Sequence, residues 1–296
     1  MRNDELIEAF LIFLEVEKNY STNTCSQYRY DLRLFFKFIE KEADNVATLD
    51  LRRFLIHLKK DRNYAPTSIH RKICSLRSFY KFLEKEGYIS KDPTSTIASP
   101  KVPKSLPKFL TIEEVDRLLA MVSNVRDRAI IELLYSTGMR VSELCTITLD
   151  DIDLEKKLIK VQQAKGSKQR YVLFGGRAEL SLRDYLYERK LKAAPEEKAV
   201  FLNRFGTRMH PITVQRIVAK YRKQAELPET TTPHMLRHTF ASHLIQNGTD
   251  IRFIQELLGH NSLSTTQIYT HIETKHLRKA YDQAHPFSSR DETTDL

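Results

Sequence analysis

Apolar residues recur at helical spacing through the first third of the chain, from Asp4 to about Ile89. Leu32, Phe35, Phe36 and Ile39 form one stripe, and Ile69, Ile73, Leu76, Tyr80 and Leu83 another. Helix punctuation falls between the stripes. Ser21 or Thr22 is placed to cap one helix, Pro66 and Thr67 to open another, and Gly87 to close it. The pattern predicts a small all-helical bundle of about four helices over residues 1–92.

The pattern then breaks. DPTSTIASPKVPKSLP, from Asp92 to Pro107, spaces four prolines (Pro93, Pro100, Pro103, Pro107) among lysines, so neither a helix nor a ladder can run through it. Residues 93–110 therefore read as an extended basic linker. Residues 111–287 read as a second, mostly helical domain, opened by the capping box Thr111-Ile112-Glu113-Glu114 and followed by a polar tail, 288–296. One β interruption is predicted: Leu158 to Val161 and Arg170 to Phe174 favour strands, and Lys165-Gly166-Ser167-Lys168 between them reads as the tip of a hairpin. The expected fold is mainly α, in two domains, with one small antiparallel β element in the second.

Composition adds a bias. With 296 residues and 41% hydrophobic content the chain can bury two modest cores. Its 48 lysines and arginines against 38 acids give +10, which attracts a polyanion but equally describes a solvated basic surface. Cys25, Cys74 and Cys145 are far apart, which argues against a disulfide framework or thiolate zinc site and fits a reducing compartment. The first helix carries acids within its apolar stretch, unlike a signal peptide, and no apolar run reaches the roughly 20 residues that span a bilayer. A cytoplasmic protein is expected, with no membrane association.

Candidate chemistry gathers in the second domain. In Ser136-Thr137-Gly138-Met139-Arg140-Val141-Ser142-Glu143 an apolar helix stops at a glycine and Arg140 opens the next helix. A guanidinium at a positive dipole end suits an anion site, with Glu143 as its brace; on this segment alone an ordinary Arg140–Glu143 surface pair is the simpler reading. In Thr232-Pro233-His234-Met235-Leu236-Arg237-His238, threonine and proline start a helix. His234, Arg237 and His238 fall on one face, opposite a core stripe of Leu236, Phe240 and Leu244. An imidazole beside a guanidinium can hold a phosphate and exchange a proton with it. Leu257-Leu258-Gly259-His260 is a glycine helix stop that turns a histidine outward, and Tyr269 follows nine residues later.

Two other readings use the same residues. His234, His238, His243 and His260 include a pair at zinc spacing, but Arg237 between the first two would repel a dication. Ile251 to Ile272 reads as helix, glycine turn, helix, the pattern of a DNA-binding regulator without chemistry, although this leaves Arg140, Lys165 and the His234/Arg237 pair unused.

Taken together, Thr137-Gly138-Met139-Arg140-Val141-Ser142-Glu143-Leu144, Lys165 on a hairpin, His234-Met235-Leu236-Arg237-His238, Leu258-Gly259-His260 and Tyr269 resemble the tyrosine recombinases or integrases, and within them the Xer type. Order and spacing agree over nearly the whole chain. The resemblance implies a helical core-binding domain and a catalytic domain clamping duplex DNA. It also implies a reaction without cofactor, metal ion or ATP. Catalytic residues would be Arg140, Lys165, His234, Arg237, His260 and the nucleophile Tyr269. Tyr269 would form a 3′-phosphotyrosyl intermediate, the arginines and histidines would bind the phosphate oxygens, and Lys165 would protonate the leaving 5′-oxygen. It further implies a tetramer on DNA, homomeric or with a second Xer-type recombinase. A C-terminal helix from Lys275 to Ala284 would be exchanged between protomers, and a septal DNA translocase would be an activating partner. The implied role is resolution of chromosome or plasmid multimers at cell division, with integration of a mobile element as the alternative. Arg71, Lys72 and Arg77 in the first domain read as either a DNA-facing or a merely solvated surface.

Overall fold

The computed structural model describes residues 2–98, 109–162, 169–259 and 271–288, with the backbone alone for 271–276. The chain divides into two compact units, Met1–Leu106 and Pro107–Leu296.

The first unit contains α1 (Asn3–Val16), α2 (Thr22–Ile39), α3 (Thr48–Lys60) and α4 (Pro66–Lys85). Local signals set their ends: the Ser21 hydroxyl accepts from the Thr24 amide at 3.3 Å, and Pro66 occupies the first turn of α4. The four-helix expectation holds. The core is aromatic, with Phe10 against Phe79 (centroids 5.4 Å apart) and Phe35 against Phe54 (5.1 Å) in edge-to-face pairs.

Of the three cations read as a surface, Lys72 is buried, while the Arg71 side chain stays 46% exposed. Asp31 on α2 is buried, and its carboxylate accepts from Lys72 Nζ (2.7 Å), both terminal nitrogens of Arg71 (2.5 and 2.9 Å) and Ser75 Oγ (2.8 Å). Lys72 is itself buried between the rings of Tyr30 and Tyr64, and Arg77 donates to the Ile97 carbonyl. Arg71 and Lys72 tie α4 to α2, because an ionised carboxylate in a core must be paired. Asp31→Ala strands the Lys72 ammonium, so it should lower stability by about 3 kcal/mol, read by denaturant unfolding.

The second unit runs α5 (Ile112–Ala120), α6 (Val125–Thr137), α7 (Val141–Thr146), β1 (Ile152–Asp153), β2 (Leu158–Gln162), β3 (Gln169–Leu173), α8 (Gly176–Lys192), α9 (Pro211–Gln224), α10 (Pro233–Gln246), α11 (Ile251–Leu258) and α12 (His271–Ala284). The three strands form one antiparallel sheet in the order β1-β2-β3, with Leu158 opposite Leu173 and Gln162 opposite Gln169. β1, only two residues long, is absent from the sequence prediction because so short a run shows no alternation. The mainly α, two-domain expectation is met. The predicted hairpin tip lies outside the described residues, as does most of the linker. No helix among the described residues is long and apolar enough to cross a membrane.

Helix α6 is the axis of this unit, buried on all sides from Ala129 to Thr137 and packed against α8 and α10. One carboxyl goes in with it. Burial raises the Glu132 pKa to about 7, against the pull of Arg177, whose Nε lies 3.6 Å away. Between pH 4.5 and 7 the folded chain thus holds a proton at Glu132 that the unfolded chain has lost, so this group makes stability fall as pH rises through that window. The stability of Glu132→Gln relative to the parent should therefore rise from pH 5 to pH 8, by about 3 kcal/mol. Denaturation midpoints at the two pH values measure it.

Candidate active site

The site begins where α6 ends. Gly138 closes the helix with φ of 60°, and a Cβ there would collide with the Phe240 ring of α10. The chain then turns into α7, with Arg140 at the N-cap. Glu143 closes the turn: Oε2 accepts from the Arg140 amide at 2.7 Å and Oε1 from Arg140 Nη1 at 2.9 Å. The expected Arg140–Glu143 pairing is present. The ion pair exists, but it is not a plain surface pair, because the carboxylate is buried and also accepts a two-pronged fork from Arg170 on β3 (3.0 and 2.8 Å). Burial alone would raise the Glu143 pKa; the Arg170 fork and the Arg140 hydrogen bonds outweigh it and hold the carboxyl below its usual range. The Arg140 side chain remains 48% exposed, with donors to spare.

Helix α10 starts as its sequence prescribes, with Thr232 Oγ1 accepting from the Met235 amide at 3.3 Å and Pro233 in the first turn. Leu236, Phe240 and Leu244 are buried as the core stripe. His234 is exposed in the first turn. Arg237 does not share that exposure: it is 7% exposed, and its guanidinium donates from Nη1 to the Gly138 carbonyl (2.6 Å) and from Nη2 to the Leu258 carbonyl (2.7 Å). The helical wheel placed it beside His234; packing of α10 against the end of α6 and the end of α11 covers it. Burial, with Arg140 and Arg170 nearby, lowers its pKa to about 10. Arg140 and Arg170 pair with Glu143 directly, and Arg237 lies close enough to both for their positive charges to act on it.

The histidine set of the zinc reading does not come together among the described residues. His243 is buried, with Nδ1 2.8 Å from the Tyr135 hydroxyl and Nε2 2.9 Å from the Leu110 carbonyl, so both ring nitrogens are engaged. His238 is half-buried near the edge of Phe109. No group of three or more histidine, cysteine, aspartate or glutamate side chains among the described residues could hold a metal ion.

Lys165, His260 and Tyr269 lie outside the described residues. Their flanks are described. The β2–β3 ladder runs up to Gln162 and Gln169 on either side of the Lys165 segment, Gly259 (φ 67°) ends α11 just before His260, and α12 starts two residues after Tyr269.

Sequence reasoning missed two features. One is Arg170. Its signal was present, since an arginine at an inward-facing position of a strand must have a buried partner. The other is the seat of α12, where Leu277, Tyr281 and Ala284 are buried against Phe240, Leu244 and the β2–β3 strands. There the Tyr281 hydroxyl lies 2.6 Å from Ser136 Oγ, four residues before Arg140, and donates to the Ser136 carbonyl at 2.9 Å.

Residues 108–276 match the phage integrase family, and residues 7–87 match the phage integrase N-terminal SAM-like domain. Tyrosine recombinase XerC of Thermodesulfovibrio yellowstonii is 43% identical over 97% of this chain and 98% of its own length. Tyrosine recombinase XerD of Staphylococcus saprophyticus is 38% identical over 96% and 99%. Among solved structures, XerH site-specific recombinase bound to a palindromic difH substrate superposes with a TM-score of 0.68 at 25% identity, covering 90% of this chain and 81% of that one.

Proposed function

This chain belongs to the phage integrase family and is a tyrosine-type DNA recombinase, and from that premise we propose how its residues divide the work. The observation that carries the assignment is the proximity of Arg140 and Arg237, one exposed and paired with Glu143, the other buried and held by two backbone carbonyls. A phosphodiester resists attack because its anionic oxygens repel nucleophiles, so fixed positive charge must be brought to those oxygens. Arg237 commits two of its five N–H groups to carbonyls and Arg140 commits one to Glu143, which leaves donors on both for the phosphate.

Tyr269 is the nucleophile. Its phenolic oxygen bonds to phosphorus as the bond from phosphorus to the 5′-oxygen breaks; the phenol proton passes to His234, and Lys165 protonates the leaving 5′-oxygen. His260 donates a further hydrogen bond to the phosphate. The resulting phosphotyrosyl ester preserves the bond energy, so a 5′-hydroxyl from another duplex reverses the step and exchanges strands.

The substrate is a specific duplex site, and the biological role we assign is multimer resolution at cell division, in the cytoplasm, in company with a second Xer-type recombinase and a septal DNA translocase. The names of the relatives, XerC and XerD, support this over integration of a mobile element. In the single chain α12 is seated on its own unit through Leu277 and Tyr281, so exchange of this helix between protomers of a tetramer requires the contacts to be released and remade on a neighbour.

The decisive test is covalent trapping. A duplex is first selected by binding from a randomised pool, then nicked next to the cleaved phosphate so that the short 5′-hydroxyl strand diffuses away. A protein–DNA adduct that survives denaturation is expected. Tight, specific binding with no adduct at any nick position would mean a DNA-binding regulator instead.

A further inference from the structure

Arg170 occupies an inward position of β3: Gln169 and Tyr171 on either side are exposed, while Arg170 and Val172 are buried. Its side chain is 3% exposed and is fully engaged through three nitrogens. Nη1 and Nη2 fork onto the two oxygens of Glu143 at 3.0 and 2.8 Å, and Nε donates to the Leu257 carbonyl at 2.9 Å. Arg237 takes the next carbonyl along, that of Leu258. One side chain therefore joins three places: the strand that follows the Lys165 segment, the N-terminal turn of α7 that carries Arg140, and the C-terminal end of α11 that precedes His260.

The charge arrangement explains why an arginine is used. Glu143 has one negative charge and two guanidinium partners. Without the fork from Arg170, the buried carboxylate would be served by Arg140 alone and would draw that guanidinium into a closed pair, spending its donors and cancelling its charge. With the fork in place, Arg140 gives up one N–H from Nη1 and stays half exposed. A lysine could cancel the same charge but could not span both carboxylate oxygens and the Leu257 carbonyl.

Resting on the strand-transfer reading above, we propose that Arg170 is a positioning residue. It does not touch DNA; it holds Glu143 so that Arg140 remains available to the phosphate, and it fixes the end of α11. The effect is specific to the charge on the phosphate, which gives the test its discrimination.

The variant is Arg170→Lys, which keeps the charge and loses the fork. Cleavage is measured on the nicked duplex with the natural phosphate and on the same duplex with a methylphosphonate at the cleaved position, where one anionic oxygen is replaced by methyl and less positive charge is needed. DNA binding should match the parent. Cleavage of the natural phosphate should fall about 100-fold, while cleavage of the methylphosphonate stays near the parent's. Equal losses on both substrates would indicate a loosened fold and overturn the proposal, as would no loss on either. If Arg170→Lys does not fold, Glu143→Asp keeps the charge but is one methylene too short to accept from both Arg170 and Arg140; it should give the same phosphate-selective loss, with the same equal-loss result counting against it. A parent protein that forms no adduct on either substrate would defeat the strand-transfer reading first, and this one with it.

Discussion

Tyr269→Phe should abolish the covalent adduct on the nicked duplex while leaving DNA binding intact. The substitution removes one oxygen and keeps the ring, so any role of the side chain in packing survives, and only the atom proposed to attack is lost. Several phenols of the same unit are engaged elsewhere. The hydroxyl of Tyr281 is buried and hydrogen-bonded to Ser136, and burial raises its pKa, which makes it a poorer nucleophile. The Tyr221 hydroxyl donates to Asp127 at 3.2 Å, and that of Tyr135 is held by His243. Tyr171 on β3 is the most informative control, being 38% exposed and in the same unit. Tyr171→Phe and Tyr221→Phe should form adduct as the parent does. Adduct persisting in Tyr269→Phe, or vanishing only in Tyr171→Phe, would move the nucleophile elsewhere.

What could be read in the sequence was local. Ser21, Thr111, Thr232 and Gly259 act on residues three or four positions away, so a short window contains both partners, and each cap or stop lies where the sequence places it. Glu143 was legible as the brace of Arg140 for the same reason. The unread features join residues far apart. Arg170 meets Glu143 across 27 positions, Lys72 meets Asp31 across 41, and Tyr281 meets Ser136 across 145. In each case a polar residue sat where the periodicity wanted an apolar one, which announces a buried partner but does not name it. Arg237 shows the limit of the helical wheel: it shares a face with His234, but Gly138 and Leu258 close over it from other helices.

That burial makes Arg237→Lys the most instructive change among the cations. A guanidinium depressed to a pKa of about 10 is still charged at neutral pH, so the fold carries the cost of charging it, on the order of 3 kcal/mol relative to an ordinary arginine, at every pH below about 10 and is relieved only above it. A protein selected for stability alone would not bury Arg237 beside Arg140 and Arg170, which already take up both oxygens of the nearby Glu143 carboxylate. On the proposed strand-transfer reading, the phosphate supplies the missing anion when it arrives. Lysine at this position has three donors; holding the Gly138 and Leu258 carbonyls consumes two of them, so the remaining one cannot fork onto two phosphate oxygens. Cleavage by Arg237→Lys should drop by about 10²–10³-fold. Its pH dependence should change as well. The burial and neighbouring guanidiniums that lower the arginine pKa would push a lysine below its own usual range, so the ratio of variant to parent rate should fall as pH rises on the alkaline side. A ratio flat with pH and close to one would mean that Arg237 only staples α10 to the loop at Gly138. Sulfate offers a check without chemistry: an anion bound by the folded site should raise the melting temperature of the parent, and raise that of Arg237→Lys less.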